Sequence, residues 1–185
     1  MTGRATRICP AAHAGHLDSR LRRWLQNPDR ILRPYIGPGM TVLEVGCGPG
    51  FFTVDMARLV GAAGRVVACD IQQEMLDILE GKLGGSALAA RVTLHRSTAG
   101  GIGWSGEVDF VLAFYVVHEI PDQRGLFTEL HAILRPGGSV LVVEPPLHVS
   151  AKSFARSMAM AGEAGFMIGD GPKMLFHKTA LLVRR

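Results

Sequence analysis

The residues with the clearest chemical potential lie between positions 42 and 53, which read Val-Leu-Glu-Val-Gly-Cys-Gly-Pro-Gly-Phe-Phe-Thr. Glu44 precedes Gly46, Cys47, Gly48 and Gly50. Glycine at alternate positions after a short apolar run lets a ligand lie almost against the backbone, facing the start of the next helix. A dinucleotide fingerprint would need its third glycine where Phe51 stands, and no lysine follows as in a phosphate-binding P-loop. Glu44 would repel a phosphate but could receive an ammonium group. The pattern favours a cationic, phosphate-free nucleoside ligand.

These residues need a scaffold, and hydrophobic patterning supplies one. Strands are predicted at 40–45, 65–69, 91–96, 108–113, 139–144, 166–168 and 176–183. Helices are predicted at 51–60, 72–83, 123–134 and 151–164, with a Gly-rich loop from Gly81 to Ala90. Upstream, Leu17, Leu21, Trp24 and Leu25 fall on one helical face, and Asn27-Pro28 opens a short helix that Pro34 stops. Strands alternating with helices argue an α/β fold: a Rossmann-like, doubly wound, mostly parallel sheet of seven strands. The close spacing of the last two strands permits a hairpin, hence an antiparallel last strand and edge. In such sheets ligands bind beyond the carboxyl ends of the strands. That rule selects Gly46 to Gly50, Asp70 and Ile71, Ser97 and Thr98, Ala113 to His118, and Glu144 to His148 as the rim of one cleft.

Four segments, in order, carry a family resemblance. They are the E-x-G-x-G-x-G run; Val66-Val67-Ala68-Cys69-Asp70; Val108 to Asp122 with Phe114-Tyr115-Val116-Val117-His118-Glu119 at its centre; and Leu134-Arg135-Pro136-Gly137-Gly138. Together they resemble the class I S-adenosylmethionine-dependent methyltransferases, in the branch of the ubiquinone/menaquinone C-methyltransferases. The resemblance covers roughly residues 35–185, which implies a domain there and an amino-terminal helical arm or lid at 1–34. It implies S-adenosyl-L-methionine as cofactor, with the Asp70 carboxylate accepting both ribose hydroxyls. Ile71, Met75, Ser97 and Thr98 would flank the adenine, and Ala113 and Phe114 the methionine part. Relatives commonly carry a carboxylate after strand three, where this chain has Arg96-Ser97-Thr98, so a hydroxyl or a backbone carbonyl would replace that contact.

Methyl transfer asks little of side chains, because holding donor and acceptor in line supplies on the order of 7–11 kcal/mol of the barrier. A base is required only if the acceptor must lose a proton. His118 and Glu119 are the leading catalytic candidates, with Tyr115, Glu144, His148 and His177 also at the cleft. Each has a plainer reading: His118 shapes the pocket, Glu119 pairs with an arginine, Tyr115 lines the wall by its ring, and His148 and His177 are surface or packed residues. Cys9, His13 and His16 have no second cysteine pair, and no metal site is expected.

Composition sets the outer limits. The chain has 185 residues, is 48% hydrophobic and 19% charged, and is large enough for one proper core. No apolar run approaches a membrane span and the start lacks a signal-peptide core. Three unevenly spaced cysteines point to a reducing cytoplasm rather than a disulfide framework. Of the net charge of +4, residues 1–34 carry seven arginines against two aspartates. The arm could meet RNA or an acidic protein, but without interleaved aromatic residues it reads as a solvated helix face. Strand four lacks the Asp/Asn-Pro-Pro-aromatic clamp of nucleic-acid amino-methylating enzymes, and Pro145-Pro146 follows strand five instead. A small-molecule acceptor is therefore expected, with nucleic acid disfavoured and oligomeric state open. A nicotinamide-dependent oxidoreductase and a non-catalytic nucleoside-binding module are the rival classes.

Overall fold

A computed structural model describes residues 26–185. The helix expected from Leu17, Leu21, Trp24 and Leu25, most of the arginine-rich arm, and Cys9, His13 and His16 lie outside the described residues. Within them the chain runs α1 (Pro28–Leu32), β1 (Thr41–Val45), α2 (Thr53–Leu59), β2 (Arg65–Asp70), α3 (Gln73–Leu83), β3 (Val92–Arg96) and β4 (Val108–Phe114). It continues through α4 (Gln123–Ile133), β5 (Leu134–Glu144), α5 (Ala151–Glu163), β6 (Phe166–Asp170) and β7 (Lys178–Arg184). Single 3-10 turns lie at Ala89–Arg91 and Val117–Glu119.

The seven strands form one sheet in the order β3-β2-β1-β4-β5-β7-β6. Every neighbouring pair from β3 to β5 is parallel, whereas β7 runs antiparallel to both β5 and β6. The α/β architecture and the reversed last strand are as the pattern predicts. So is the antiparallel edge: β6 and β7 pair as a hairpin, with β7 inserted between β5 and β6 so that β6 is the outermost strand. Helix α5 lies between β5 and β6, and this leaves the inner slot open for β7.

The central strands are apolar on both faces because helices cover both. On one face Val42, Phe110, Leu112, Leu141 and Val143 pack with Leu32 of α1 and with Phe52, Met56 and Ala57. Ala68 on the same face meets Leu76, Leu79 and Leu83 of α3. On the other face Leu43, Val67, Val111 and Val140 pack against Leu126, Phe127 and Leu130 of α4 and Met158 and Ala161 of α5. Side-chain caps start the later helices: the Asp122 carboxylate accepts from Gly125 N–H (2.9 Å) and the Ser150 hydroxyl from Ser153 N–H (3.1 Å).

Several boundaries differ from expectation, each for a physical reason. Helix α2 begins at Thr53, because Phe51 and Phe52 are still part of the glycine turn. Strand β5 begins five residues early, at Leu134, which pairs with Val108 before a register shift. Strand β7 begins at Lys178 and not at 176, since Phe176 has φ +62°, a left-handed conformation that an extended strand excludes.

Phe127 has no exposed surface and sits between α4 and the sheet. Phe127→Ala should lower unfolding free energy by about 3–5 kcal/mol, read from urea denaturation. A loss below about 1 kcal/mol would mean that this face of the core is loosely packed.

Candidate functional site

The topological switch lies between β1 and β4, where the chain order reverses. Beyond the carboxyl end of β1 the backbone doubles back through Gly46, Gly48 and Gly50, all at positive φ (67°, 52° and 83°). The three glycines are not equivalent. A Cβ on Gly46 would meet Val116 Cγ2 at 2.7 Å, and one on Gly50 would meet Leu79 Cδ1 at 2.3 Å. A Cβ on Gly48 would meet nothing within 4 Å. The turn is thus wedged between the β4 exit and α3 on two sides and faces open space at its middle.

Polar contacts fix it there. Cys47 N–H donates to Cys69 O (2.9 Å), Gly50 N–H to Cys47 O (3.1 Å), and Lys82 Nζ reaches Pro49 O at 2.7 Å. Gly48 N–H donates to Asp70 Oδ2 (2.8 Å), while Asp70 Oδ1 accepts from Gln72 N–H (2.9 Å). Asp70 is 6% exposed. Burial raises its pKa, and the amides of Gln72, Gly48 and Ile71 pull it back. A carboxylate offers about four lone-pair sites, so two amides leave acceptor capacity for a diol placed beside Gly48.

Glu44 is buried under the turn, where the Thr53 hydroxyl donates to its Oε2 at 2.5 Å. It braces the start of α2 from below. Cys47 and Cys69 are buried, and burial together with the charges of Glu44 and Asp70 pushes the Cys69 thiol up to about 12 and the Cys47 thiol up as well. Both are therefore packed thiols, not nucleophiles. Among the other expected site residues, Ile71 is half-buried at the end of β2, Met75 is buried under α3, and Ala113 and Phe114 end β4 inside the core. Ser97 N–H donates to Asp70 O (3.0 Å), which sets Ser97 beside Asp70. Thr98 is exposed and its hydroxyl caps a surface turn at Gly100 N–H.

The β4 exit carries two polar constellations. In one, His118 Nδ1 lies 2.5 Å from Glu144 Oε2, and Glu144 Oε1 accepts from His118 N–H at 3.0 Å. Glu144 ends β5, the strand next to β4, and is 2% exposed. The hydrogen bond to Glu144 raises the His118 pKa above its ordinary 6.5, against burial and assisted by the charges of Glu144 and Glu119. His148 stacks on His118 with ring centroids 6.4 Å apart. Glu119 is half-buried, and burial pushes its pKa up, opposed by His118 and supported by the charges of Glu144 and Asp70.

In the other constellation, Tyr115 stands at φ +61°, a conformation rare for a bulky residue and costing of order 1–3 kcal/mol. Its N–H donates to Val143 O (2.8 Å) and its ring packs on Phe114. The Tyr115 hydroxyl is hydrogen-bonded to His177 Nε2 and lies 2.5 Å from Gln26 Nε2. Glu144 as the partner of His118, and the joining of Tyr115 to His177, depend on strand neighbours that residue spacing does not reveal. The only sequence signal was that Tyr115, Glu144 and His177 each border a strand end.

Among the described residues no group of three or more His, Cys, Asp or Glu is placed to hold a metal, and no helix is long and apolar enough to cross a membrane. Two surface hollows, about 310 Å³ beside Arg124 and Arg156 and about 460 Å³ beside Arg65 and Trp104, lie away from the glycine turn.

A parallel sheet with a reversed seventh strand, a glycine turn over a buried acid and an acid closing β2 define a nucleoside-binding enzyme fold of the methyl-transferring type. Residues 42–138 match the family described as methyltransferase domain. The chain belongs to that family, the class I S-adenosylmethionine-dependent methyltransferases, and S-adenosylmethionine is its cofactor. Demethylmenaquinone methyltransferase of Lactobacillus johnsonii is 27% identical over 143 residues, covering 75% of this chain and 58% of that protein. Ubiquinone/menaquinone biosynthesis C-methyltransferase UbiE of Vibrio vulnificus is 29% identical over 108 residues, 58% of this chain and 42% of that one. The chain thus spans about half the length of the curated relatives it matches. In fold it resembles a SAM-dependent methyltransferase from Aquifex aeolicus, with a TM-score of 0.84, 24% identity, and coverage of 95% and 98% of the two chains.

Two outcomes test the site's construction. Gly46→Ala places a Cβ against Val116 at positive φ and should cost about 1–3 kcal/mol of stability along with cofactor affinity. Gly48→Ala, with the same backbone demand but open space, should affect binding more than packing; equal unfolding curves and equal affinities for the two variants would contradict the wedge geometry. For His118, a raised native pKa means that pairing stabilises fully below pH 6.5 and fades as pH rises through the native value. His118→Gln should therefore show a larger urea-midpoint deficit at about pH 6 than at about pH 9. A deficit independent of pH would show that the pair does not titrate.

Proposed function

We propose that the protein transfers a methyl group from S-adenosylmethionine to a small aromatic acceptor of the quinol class. The observation that carries the first half is the Asp70 carboxylate, spent on two amides yet with lone pairs free beside the unobstructed Gly48. The acceptor class rests on the names of the curated relatives, demethylmenaquinone methyltransferase and ubiquinone/menaquinone biosynthesis C-methyltransferase.

When bound, the cofactor supplies a methyl group already activated by a positively charged sulfur. The chain's task is then to bind, align and exclude water. Asp70 accepts from the ribose diol, and the Gly46–Gly50 backbone admits the nucleoside without a side chain intervening. Ile71, Met75 and the Ser97 segment border the adenine, with Thr98 further out. Ala113 and Phe114 close the wall below the methionine part, and Glu44 braces the turn from beneath while its negative charge favours the ammonium end. His118, protonated more readily through Glu144, presents its outer nitrogen as a donor to an acceptor oxygen. Glu119 lies beside it as a half-buried carboxyl group that both histidine and burial tune.

Asp70→Ala should weaken cofactor binding about 10- to 100-fold, the equivalent of about 1.5–3 kcal/mol for hydrogen bonds to a charged group, as measured by calorimetry. Unchanged affinity would remove the ribose assignment. Incubation with methyl-labelled cofactor and a reduced naphthoquinone should yield labelled product. Label appearing instead in RNA or protein fractions would overturn the acceptor class.

A further inference from the structure

His177 closes the β6–β7 loop, and its two ring nitrogens are committed differently. Nδ1 lies 2.6 Å from Leu175 O, an oxygen that only accepts, so Nδ1 carries the ring hydrogen of the neutral imidazole. Nε2 therefore holds a bare lone pair. Two donors converge on it: the Tyr115 hydroxyl, hydrogen-bonded to it directly, and Gln26 Nε2 at 3.4 Å. The same Gln26 amide donates to the Tyr115 oxygen at 2.5 Å. The two rings lie parallel, 3° apart with centroids at 5.7 Å.

The backbone has been bent to make this meeting. Tyr115 takes φ +61° directly beyond β4, and Phe176, next to His177, takes φ +62°. Two bulky residues in left-handed conformation on facing segments, both at the carboxyl edge of the sheet, hold one hydroxyl against one imidazole nitrogen. Strain of this kind persists where the surrounding structure over-determines it, and it clusters at functional sites. The side chain of Val116, next in sequence, packs on Gly46, which puts Tyr115 one residue from the wall of the cofactor turn.

We infer that Tyr115 and His177 form a proton relay that serves the acceptor: the tyrosine oxygen takes the acceptor's hydroxyl proton while the tyrosine's own proton passes to His177 Nε2. This rests on the methyl-transfer reading above and adds the residues that carry the proton. The acceptor keeps the electron pair of its broken O–H bond and uses it to take up the methyl carbon, directly or through the conjugated ring, while the carbon–sulfur pair stays with sulfur. Where the ring carbon is methylated, its own proton leaves as the hydroxyl regains one, so a single proton is released overall. His177 ends as an imidazolium held by the Leu175 carbonyl and returns that proton to solvent. Gln26, donating to the tyrosine oxygen, stabilises the negative charge that develops there. Tyr115 is the group that touches the acceptor; His177 acts through it. Among the described residues, the charged side chains on the strand ends beside His177 are Lys178, next in the chain, and Glu144, the ladder partner of Lys178, which is engaged by His118.

The division of labour with His118 follows from the partners. His118 leans on a carboxylate, which favours its protonated, donating form; His177 leans on a neutral carbonyl, which leaves Nε2 an acceptor.

The test compares wild type with Tyr115→Phe, His177→Asn and the double variant. Long-range proton–nitrogen NMR of the ¹⁵N-labelled protein, with no ligand present, should find His177 in the Nδ1–H form, with Nε2 shifted by Tyr115→Phe. Calorimetry should give cofactor affinities within about threefold of wild type, while turnover of a reduced naphthoquinone falls about 10²- to 10⁴-fold in either single variant. The double variant should be no slower than the worse single one. An Nε2–H tautomer at His177, or turnover in Tyr115→Phe within about threefold of wild type, overturns the relay alone. Failure of the wild type to bind S-adenosylmethionine overturns the methyl-transfer reading, and the relay with it.

Discussion

Asp70 is the group on which the carboxyl edge of the sheet depends. It closes β2, yet its two oxygens hold the amides of Gly48, at the far side of the β1 turn, and of Gln72, which leads into α3. One carboxylate therefore sets the separation of two loops that must flank a nucleoside. Its burial costs solvation and raises its pKa, and the amides that bind it offset part of that cost. The glycine turn then needs no side-chain interactions of its own to stay open. Val116, Leu79 and Lys82 wall it in from outside.

The second organising relation is between β4 and β5, neighbours in the sheet but separated by the whole of α4. Their shared register brings Glu144 under the 3-10 turn that carries His118, so a helix-length detour in sequence becomes a 2.5 Å contact. The acid is almost wholly buried and binds both the backbone and the ring of His118. It orients the imidazole as well as raising its pKa.

Much of this was legible in the chain. The strand–glycine turn–helix, the acid after β2 and the apolar strands appear directly as local pattern, because each is built from residues close in sequence. The starts of α2, β5 and β7 were misplaced: β5 through its non-local Leu134–Val108 pairing, α2 and β7 through the glycine turn and the left-handed Phe176. The antiparallel edge was legible from the close spacing of β6 and β7, but spacing alone does not say which of them meets β5. Within the site, Asp70 and His118 could be picked by position. Other pairings could not: Glu144 for His118 and His177 for Tyr115 are contacts made by sheet order, and Thr53 for Glu44 by the fold of the glycine turn.

The insertion of β7 into the middle of its half of the sheet has a temporal side. As the chain leaves the ribosome, β6 emerges with no neighbour for its main-chain groups, since the slot beside β5 is filled only once residues 178–184 follow. Until then β5 offers an unpaired border and β6 an unattached ribbon. The loop bearing His177 leads directly into β7, so the zipping of that strand and the seating of His177 beside Tyr115 are one event.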